Sequence, residues 1–133
     1  MPDVNMHVNI VFEMVREIHF FATEQGRKPV EDFLDSLSSK QAQKATWVMS
    51  LIEDLPVVPK RFFKKMIGTE DIWEIRIEYD LNIFRILGFF DGAIFFVAAH
   101  AFQKKSQKVP MQEIRIAEER KREYFRRKRH ERP

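Results

Sequence analysis

The sequence predicts an α+β domain in which two N-terminal helices and a C-terminal helix pack with a mostly antiparallel sheet of four to five strands. Apolar residues recur at helical spacing before residue 60 and after Pro110, whereas the segment between them alternates with a period of two. Helices grouped before a run of hairpins are typical of α+β domains, and we expect them on one face of the sheet.

The first half of the chain predicts one strand and two helices. Residues 11–21 are rich in β-forming side chains and predict a first strand. Pro29 suits the first turn of a short helix. Ser38 and Gln41 have the spacing of a capping box at the start of a longer helix, which Pro56 ends.

The second half predicts four strands and a helix. Asp80-Leu81 and Asp91-Gly92 are two-residue turn candidates that would join the last three strands as hairpins. A final helix begins at Pro110. The predicted strands cover residues 62–67, 72–79, 82–90 and 93–102.

Charge is distributed unevenly along the 133 residues, whose net charge is +3. Residues 103–133 hold 12 lysines and arginines and 5 acidic residues, whereas residues 1–102 hold 11 and 15. A basic segment on an acidic body is typical of nucleic-acid binding or of an acidic partner. We divide the chain into a loose leader (1–10), one domain (11–125) and a basic tail (126–133) that we expect to be solvated.

Composition excludes several classes of site and of protein. The chain has no cysteine, so it has no disulfide framework and no thiolate zinc site. We find no membrane-spanning run and no signal peptide, and expect a cytoplasmic protein. His7, His19 and His130 lack the spacing of metal ligands, so we expect no metal and no small-molecule cofactor.

Two-residue turns would fix the register of the hairpins. Arg76 would face Arg85, and Arg85 would face Ala98. Alternation then places both arginines with His100 and Phe102 on the open face of the sheet. The predicted core face comprises Trp73, Ile75, Ile77, Phe84, Ile86, Phe95, Val97 and Ala99.

Two arginines directly opposite each other repel by roughly 3 kcal/mol at about 5 Å and an effective dielectric constant near 20. Two interpretations stay open for this pair. Glu74 and Glu78 could neutralise Arg76 and Arg85 in a sheet face laced with salt bridges. Alternatively, the paired guanidinium groups could hold a phosphate, with His100 moving a proton near neutral pH or only capping the strand end.

Lysines follow the last strand in the segment from His100 to Pro110. Lys104, Lys105 and Lys108 form a cationic loop beside an aromatic residue, a combination that suits single-stranded RNA. The alternative is an ordinary solvated loop.

Lys64 and Lys65 precede the hairpins and could bind RNA or protect an edge strand from aggregation. We expect Trp47 in the core or at its rim rather than in a base-stacking role.

Five segments together resemble the phage-derived, HigB-type branch of the RelE toxin superfamily over about residues 11–125. Phe84 replaces a tyrosine that this branch often carries, and Ala101 and Val109 replace its usual glycine and threonine. The matching segments are residues 29–37, 64–68, 72–77, 84–87 and 100–110.

The resemblance implies a compact RelE-like fold and a toxin of a type II toxin–antitoxin system. It implies an endoribonuclease that cleaves mRNA on the ribosome without a metal, through attack of the 2′-hydroxyl, and a helix-turn-helix antitoxin as partner. The other possibility is a non-catalytic module of the same fold that only binds RNA or a partner. By position, the expected catalytic residues are Arg76, Arg85, His100 and Lys104, and the expected RNA-binding residues are Lys64, Lys65, Phe102, Lys105 and Lys108.

Overall fold

A five-stranded mixed sheet is covered by helices on both faces. The computed structural model describes residues 14–104 and 108–131. One strand, two helices, four strands and a helix follow one another within these residues, in the predicted order. The elements are β1 (Glu17–Phe20), α1 (Pro29–Asp35), α2 (Ser39–Asp54), β2 (Phe63–Lys65), β3 (Trp73–Tyr79), β4 (Asn82–Asp91), β5 (Phe95–Gln103) and α3 (Met111–Glu131).

The strands are arranged in the order β1-β5-β4-β3-β2. Neighbouring strands from β2 to β5 pair antiparallel, as their short connections require. β1 instead pairs parallel with β5, and α1 and α2 connect β1 at one edge of the sheet to β2 at the other. The sheet is therefore mixed, and the mostly antiparallel prediction describes all but its β1 edge.

Two apolar clusters lie on opposite faces of the sheet. α1 and α2 cover the first cluster, which includes Ile75 and Ile86, whereas α3 covers the second through Ala117. The expectation that all helices pack on one face is wrong. β4 and β5 are apolar on both faces, so each face requires a cover. The second cluster comprises Phe21, Ile72, Leu87, Phe89, Val97, Ala99 and Ala117.

Both ends of α2 are held by side chains. Ser38 accepts a hydrogen bond from the backbone of Gln41 at 3.2 Å, and Gln41 accepts one from the backbone of Ser38 at 3.1 Å, which confirms the capping box. At the other end, Arg16 donates to the carbonyl oxygens of Ile52, Leu55 and Pro56 at 2.8–3.0 Å. This second cap fixes Arg16 beside the connection from α2 to β2.

The predicted register between β4 and β5 is wrong. Asp91 pairs with Phe95, so the loop contains three residues rather than two. This shift turns Phe95 and Val97 to the face opposite the one predicted. A bulge between Leu87 and Gly88 then shifts the pairing again.

After the bulge, Leu87 pairs with His100 and Arg85 pairs with Phe102. The two shifts together restore the predicted faces of His100 and Phe102. Ala99 is the extra residue of β5 at the bulge, and it packs in the second cluster rather than on the predicted core face.

Gly88 is required where the two strands approach each other at this bulge. A Cβ at this position would overlap the carbonyl oxygen of Val97 and lie 2.7 Å from the ring of Phe96. Both neighbours belong to the sheet, and the carbonyl oxygen cannot move without moving its strand. Gly88 therefore permits the bulge, and the bulge determines how the residues of β5 that follow it pair with β4.

Residues 126–131 of the predicted basic tail are part of α3. The helix continues to Glu131, so the predicted boundary at residue 125 falls inside it. Arg127 donates to the carbonyl oxygen of Ala22 at 2.7 Å, and Lys128 pairs with Asp91 at 2.6 Å. Residues 1–10, the predicted leader, lie outside the described residues. None of the helices within 14–104 and 108–131 combines the length and the apolar character that crossing a membrane requires.

Gly88→Ala tests the constraint at the bulge. We expect the free energy of unfolding to fall by about 1–3 kcal/mol, because the added methyl group forces apart two packed strands. Urea denaturation measures the change. Gly26→Ala is the matched control, since its Cβ meets nothing and only its φ of 85° opposes the substitution. A Gly88→Ala protein as stable as wild type would show that the strands can separate at no cost.

Candidate functional site

A groove of about 1010 Å³ opens beside β2 and β3, between the α2–β2 connection and the segment after β5. Among the described residues, its wall contains eight basic side chains and a single carboxylate, so it attracts anions. No group of three or more His, Asp or Glu residues within 14–104 and 108–131 could hold a metal ion. We call this cleft the basic groove; its charged residues are Arg16, Lys60, Lys64, Lys65, Arg76, Arg85, Lys104, Lys108 and Glu74.

Arg76 and Arg85 lie directly opposite each other, as predicted. The tight turn after Tyr79, with Asp80 at a φ of 53°, fixes this register. Each arginine has its own carboxylate partner. Arg85 pairs with Glu74, and the Nε atom of Arg76 lies 2.9 Å from Glu78.

The ion pair of Arg85 and Glu74 is buried, with 5% and 1% of the two side chains exposed. The expectation that Arg85 lies on an open face is therefore wrong, because α3 packs against this side of the sheet. The Nε atom of Arg85 and the Oε1 atom of Glu74 have no hydrogen-bond partner among the described residues. Arg76 keeps 31% of its side chain exposed, so it is the more accessible arginine of the pair.

Lys104 follows β5 directly and lies in the wall of the groove. Its backbone donates to the carbonyl oxygen of Ile83 at 2.8 Å, which fixes where the chain leaves the sheet. Burial lowers the pKa of Lys104 below its usual value, and the positive charges of Arg85 and Arg76 lower it further. A lysine that gives up its proton more readily than usual suits proton transfer.

His100 and Phe102 lie outside the wall of the groove. The Nε2 atom of His100 is 2.7 Å from a carboxylate oxygen of Glu113 on α3, and its ring stacks on Phe102 with a centroid distance of 5.6 Å. Burial lowers the pKa of His100, Glu113 opposes this change and Arg120 adds to it. Burial is the main cause of the lowered pKa of His100.

The predicted RNA-binding lysines are mostly brought together. Lys64, Lys65 and Lys108 line the groove, although they come from segments more than 40 residues apart. Lys65 also pairs with Asp71 at 2.9 Å and lowers the pKa of that carboxyl. Lys105 lies outside the described residues.

Two basic residues of the groove were missed by sequence reasoning. Arg16 reaches it because its guanidinium caps α2, a contact across 36 to 40 residues that no local pattern indicates. Lys60 follows Pro59 in the α2–β2 connection, and the basic pair that it forms with Arg61 was the available signal.

The comparison with known families gives the class of protein. The family described as phage-derived protein Gp49-like (DUF891) matches residues 32–122, about two thirds of the chain. The chain belongs to this family, which is part of the RelE toxin–antitoxin superfamily. Membership implies an antitoxin as partner. No curated protein matches the chain.

Arg85→Met tests the buried ion pair. We expect it to lower the free energy of unfolding by about 3–5 kcal/mol, because it leaves the carboxylate of Glu74 buried without its partner. The double variant Glu74→Leu/Arg85→Met should recover most of this loss, since both charges are then gone. Urea denaturation of all three proteins measures the effect. An Arg85→Met protein with wild-type stability would contradict a buried pair.

His100→Gln tests the effect of burial on the imidazole. The pKa of His100 is lower in the folded protein than its unfolded value of about 6.5, so the unfolded chain takes up the proton first as the pH falls. We expect the wild-type free energy of unfolding to decrease below about pH 6.5, and part of this decrease to disappear in His100→Gln. His130→Gln, at the exposed end of α3, controls for the loss of a histidine. Identical pH profiles for wild type and His100→Gln would contradict the lowered pKa.

Proposed function

We propose that this chain is a HigB-type toxin: an endoribonuclease that cleaves mRNA on the ribosome, in the cytoplasm, and is neutralised by a helix-turn-helix antitoxin. Cleavage would proceed through attack of the 2′-hydroxyl, without a metal. The observation that carries the proposal is the basic groove, in which Lys104, with its lowered pKa, lies among cations that include Arg76 and Lys64. Family membership supports the toxin role.

RNA supplies its own nucleophile, so the protein has few tasks. The 2′-hydroxyl gives up its proton to solvent and its oxygen attacks the adjacent phosphorus. The bond from phosphorus to the 5′-oxygen breaks, the leaving oxygen takes up a proton, and the products are a 2′,3′-cyclic phosphate and a 5′-hydroxyl. Arg76 and Lys64 would stabilise the negative charge of the transition state. Arg85 is paired with Glu74, so it would act on the transition state only through its charge in the groove wall and not by binding the phosphate directly.

Lys104 is our candidate for the proton transfer. Its lowered pKa makes the ammonium group a stronger acid than an ordinary lysine, which suits protonation of the leaving 5′-oxygen. His100, the candidate favoured by the sequence, is bound to Glu113 and is not part of the groove wall. We therefore assign His100 a positioning role between β5 and α3.

A second candidate function is RNA binding without cleavage. The burial of Arg85 favours it, because one of the two opposed arginines is already bound to a carboxylate and is not free to grip a phosphate. Under this alternative, the basic groove docks RNA but breaks no bond.

Lys104→Arg separates the two functions. Arginine keeps the positive charge but does not release a proton in proteins, so binding should persist while cleavage decreases by about 10²- to 10⁴-fold. A proton donor must be protonated, so the wild-type rate should fall as the pH rises through the pKa of Lys104, which lies below 10.5. Cleavage of a defined mRNA in a purified translation system measures the decrease, and single-turnover rates on ribosome-bound mRNA give the pH profile.

Two variants serve as controls for this experiment. Lys40→Arg makes the same change at an exposed lysine on α2, outside the groove, and should leave the rate unchanged. His100→Gln should retain cleavage within about threefold at a temperature where it is folded. If Lys104→Arg cleaves at the wild-type rate, or if only His100→Gln loses most of its cleavage activity, His100 rather than Lys104 becomes the candidate for proton transfer.

A further inference from the structure

A second hollow, of about 250 Å³, lies next to the basic groove. Two aromatic rings form its floor: Trp47 of α2 and Phe62 of the α2–β2 connection, edge to face with centroids 5.6 Å apart. Lys44 lies 4.7 Å from the indole centroid, and Arg61 lies 4.6 Å from the phenyl centroid. We call these four residues the aromatic shelf.

Arg76 connects the aromatic shelf to the basic groove. It lines both hollows, and its ion pair with Glu78 lies at the wall of the second. A strand whose phosphate is bound at Arg76 would therefore pass next to the rings of the shelf. No other residue in the described part of the chain lines both cavities.

Packing against the core accounts for only part of the surface of the Trp47 side chain. The buried stripe of α2 consists of Ala45, Val48 and Ile52, and Trp47 lies to one side of it with 47% of its surface exposed. A tryptophan that served only to cover Phe62 would be expected to bury most of its ring. Cations beside exposed rings are the combination that single-stranded nucleic acid uses, with phosphates on the cations and bases on the rings.

We propose that the aromatic shelf is a stacking subsite for one nucleobase of single-stranded RNA, adjacent to the phosphate bound at Arg76. This inference rests on the proposed function, whose substrate it extends by one nucleotide position. A stacked base contributes roughly 5- to 150-fold in affinity. An exposed cation–π contact contributes only about two- to fivefold, so a base can displace Lys44 from the indole.

The experiment compares two eight-nucleotide probes with the full-length protein. One is 2′-O-methyl oligoadenylate, which cannot be cleaved because its 2′-oxygen is blocked. The other has the same number of phosphates but no bases. Titrations of wild type, Trp47→Ala and Phe95→Ala, followed by fluorescence anisotropy at several salt concentrations, give affinities and salt slopes. Phe95 is the matched control, since 44% of its surface is exposed and it lies beside β1.

We expect Trp47→Ala to weaken binding of oligoadenylate at least fivefold while binding of the probe without bases stays unchanged. The salt slope of Trp47→Ala should equal that of wild type, because stacking releases no counterions. Phe95→Ala should bind both probes like wild type. An equal loss for both probes would show that Trp47 supports the fold, and would overturn the subsite.

Cleavage assays keep this inference separate from the proposed function. If wild type cleaves mRNA and Trp47→Ala binds oligoadenylate normally, the subsite is wrong and the function stands. If wild type cleaves nothing and Trp47→Ala loses base-dependent binding, the function is wrong and the subsite stands. Absence of binding to either probe by wild type would overturn the subsite.

Discussion

The buried ion pair of Glu74 and Arg85 is the interaction on which the site depends. The β3–β4 hairpin brings Arg85 opposite Arg76, where two bare guanidinium groups would repel by roughly 3 kcal/mol. Glu74 offsets this repulsion by pairing with Arg85 away from water, and Arg76, paired with Glu78, keeps 31% of its side chain exposed at the basic groove. Two arginines that look equivalent in the sequence therefore have different surroundings: Arg85 is buried in its ion pair, and Arg76 is partly exposed.

Local rules predicted what depends on local geometry. The register of β3 and β4 followed from a two-residue turn, and the capping box of α2 followed from Ser38 and Gln41. The register of β4 and β5 could not be predicted, because it depends on one extra loop residue and on the contact of Gly88 with Val97, nine residues away. The alternation of apolar and polar residues predicts a strand, but it does not show where a bulge interrupts the pairing.

The sequence indicated most of the basic residues that line the groove, but it did not indicate which side chains of the candidate site would be buried. Lys64 of β2, Arg76 of β3 and Lys104 after β5 all line the groove. The sequence offered no sign that α3 would cover the face of Arg85, or that Glu113 of this helix would bind His100. Side-chain partners across elements are set by packing, and packing is not visible in the spacing of residues along one strand.

The chemistry of newly formed RNA ends tests the central claim most directly. Attack by the 2′-hydroxyl leaves a 5′-hydroxyl on the downstream fragment, whereas attack by a water molecule activated on a metal commonly leaves a 5′-phosphate. Messenger RNA from cells that briefly express the protein should contain new 5′-hydroxyl ends within translated regions, and co-expression of the antitoxin should abolish them. New ends that carry a 5′-phosphate, or the absence of new ends, would contradict a basic groove that cleaves RNA by this route.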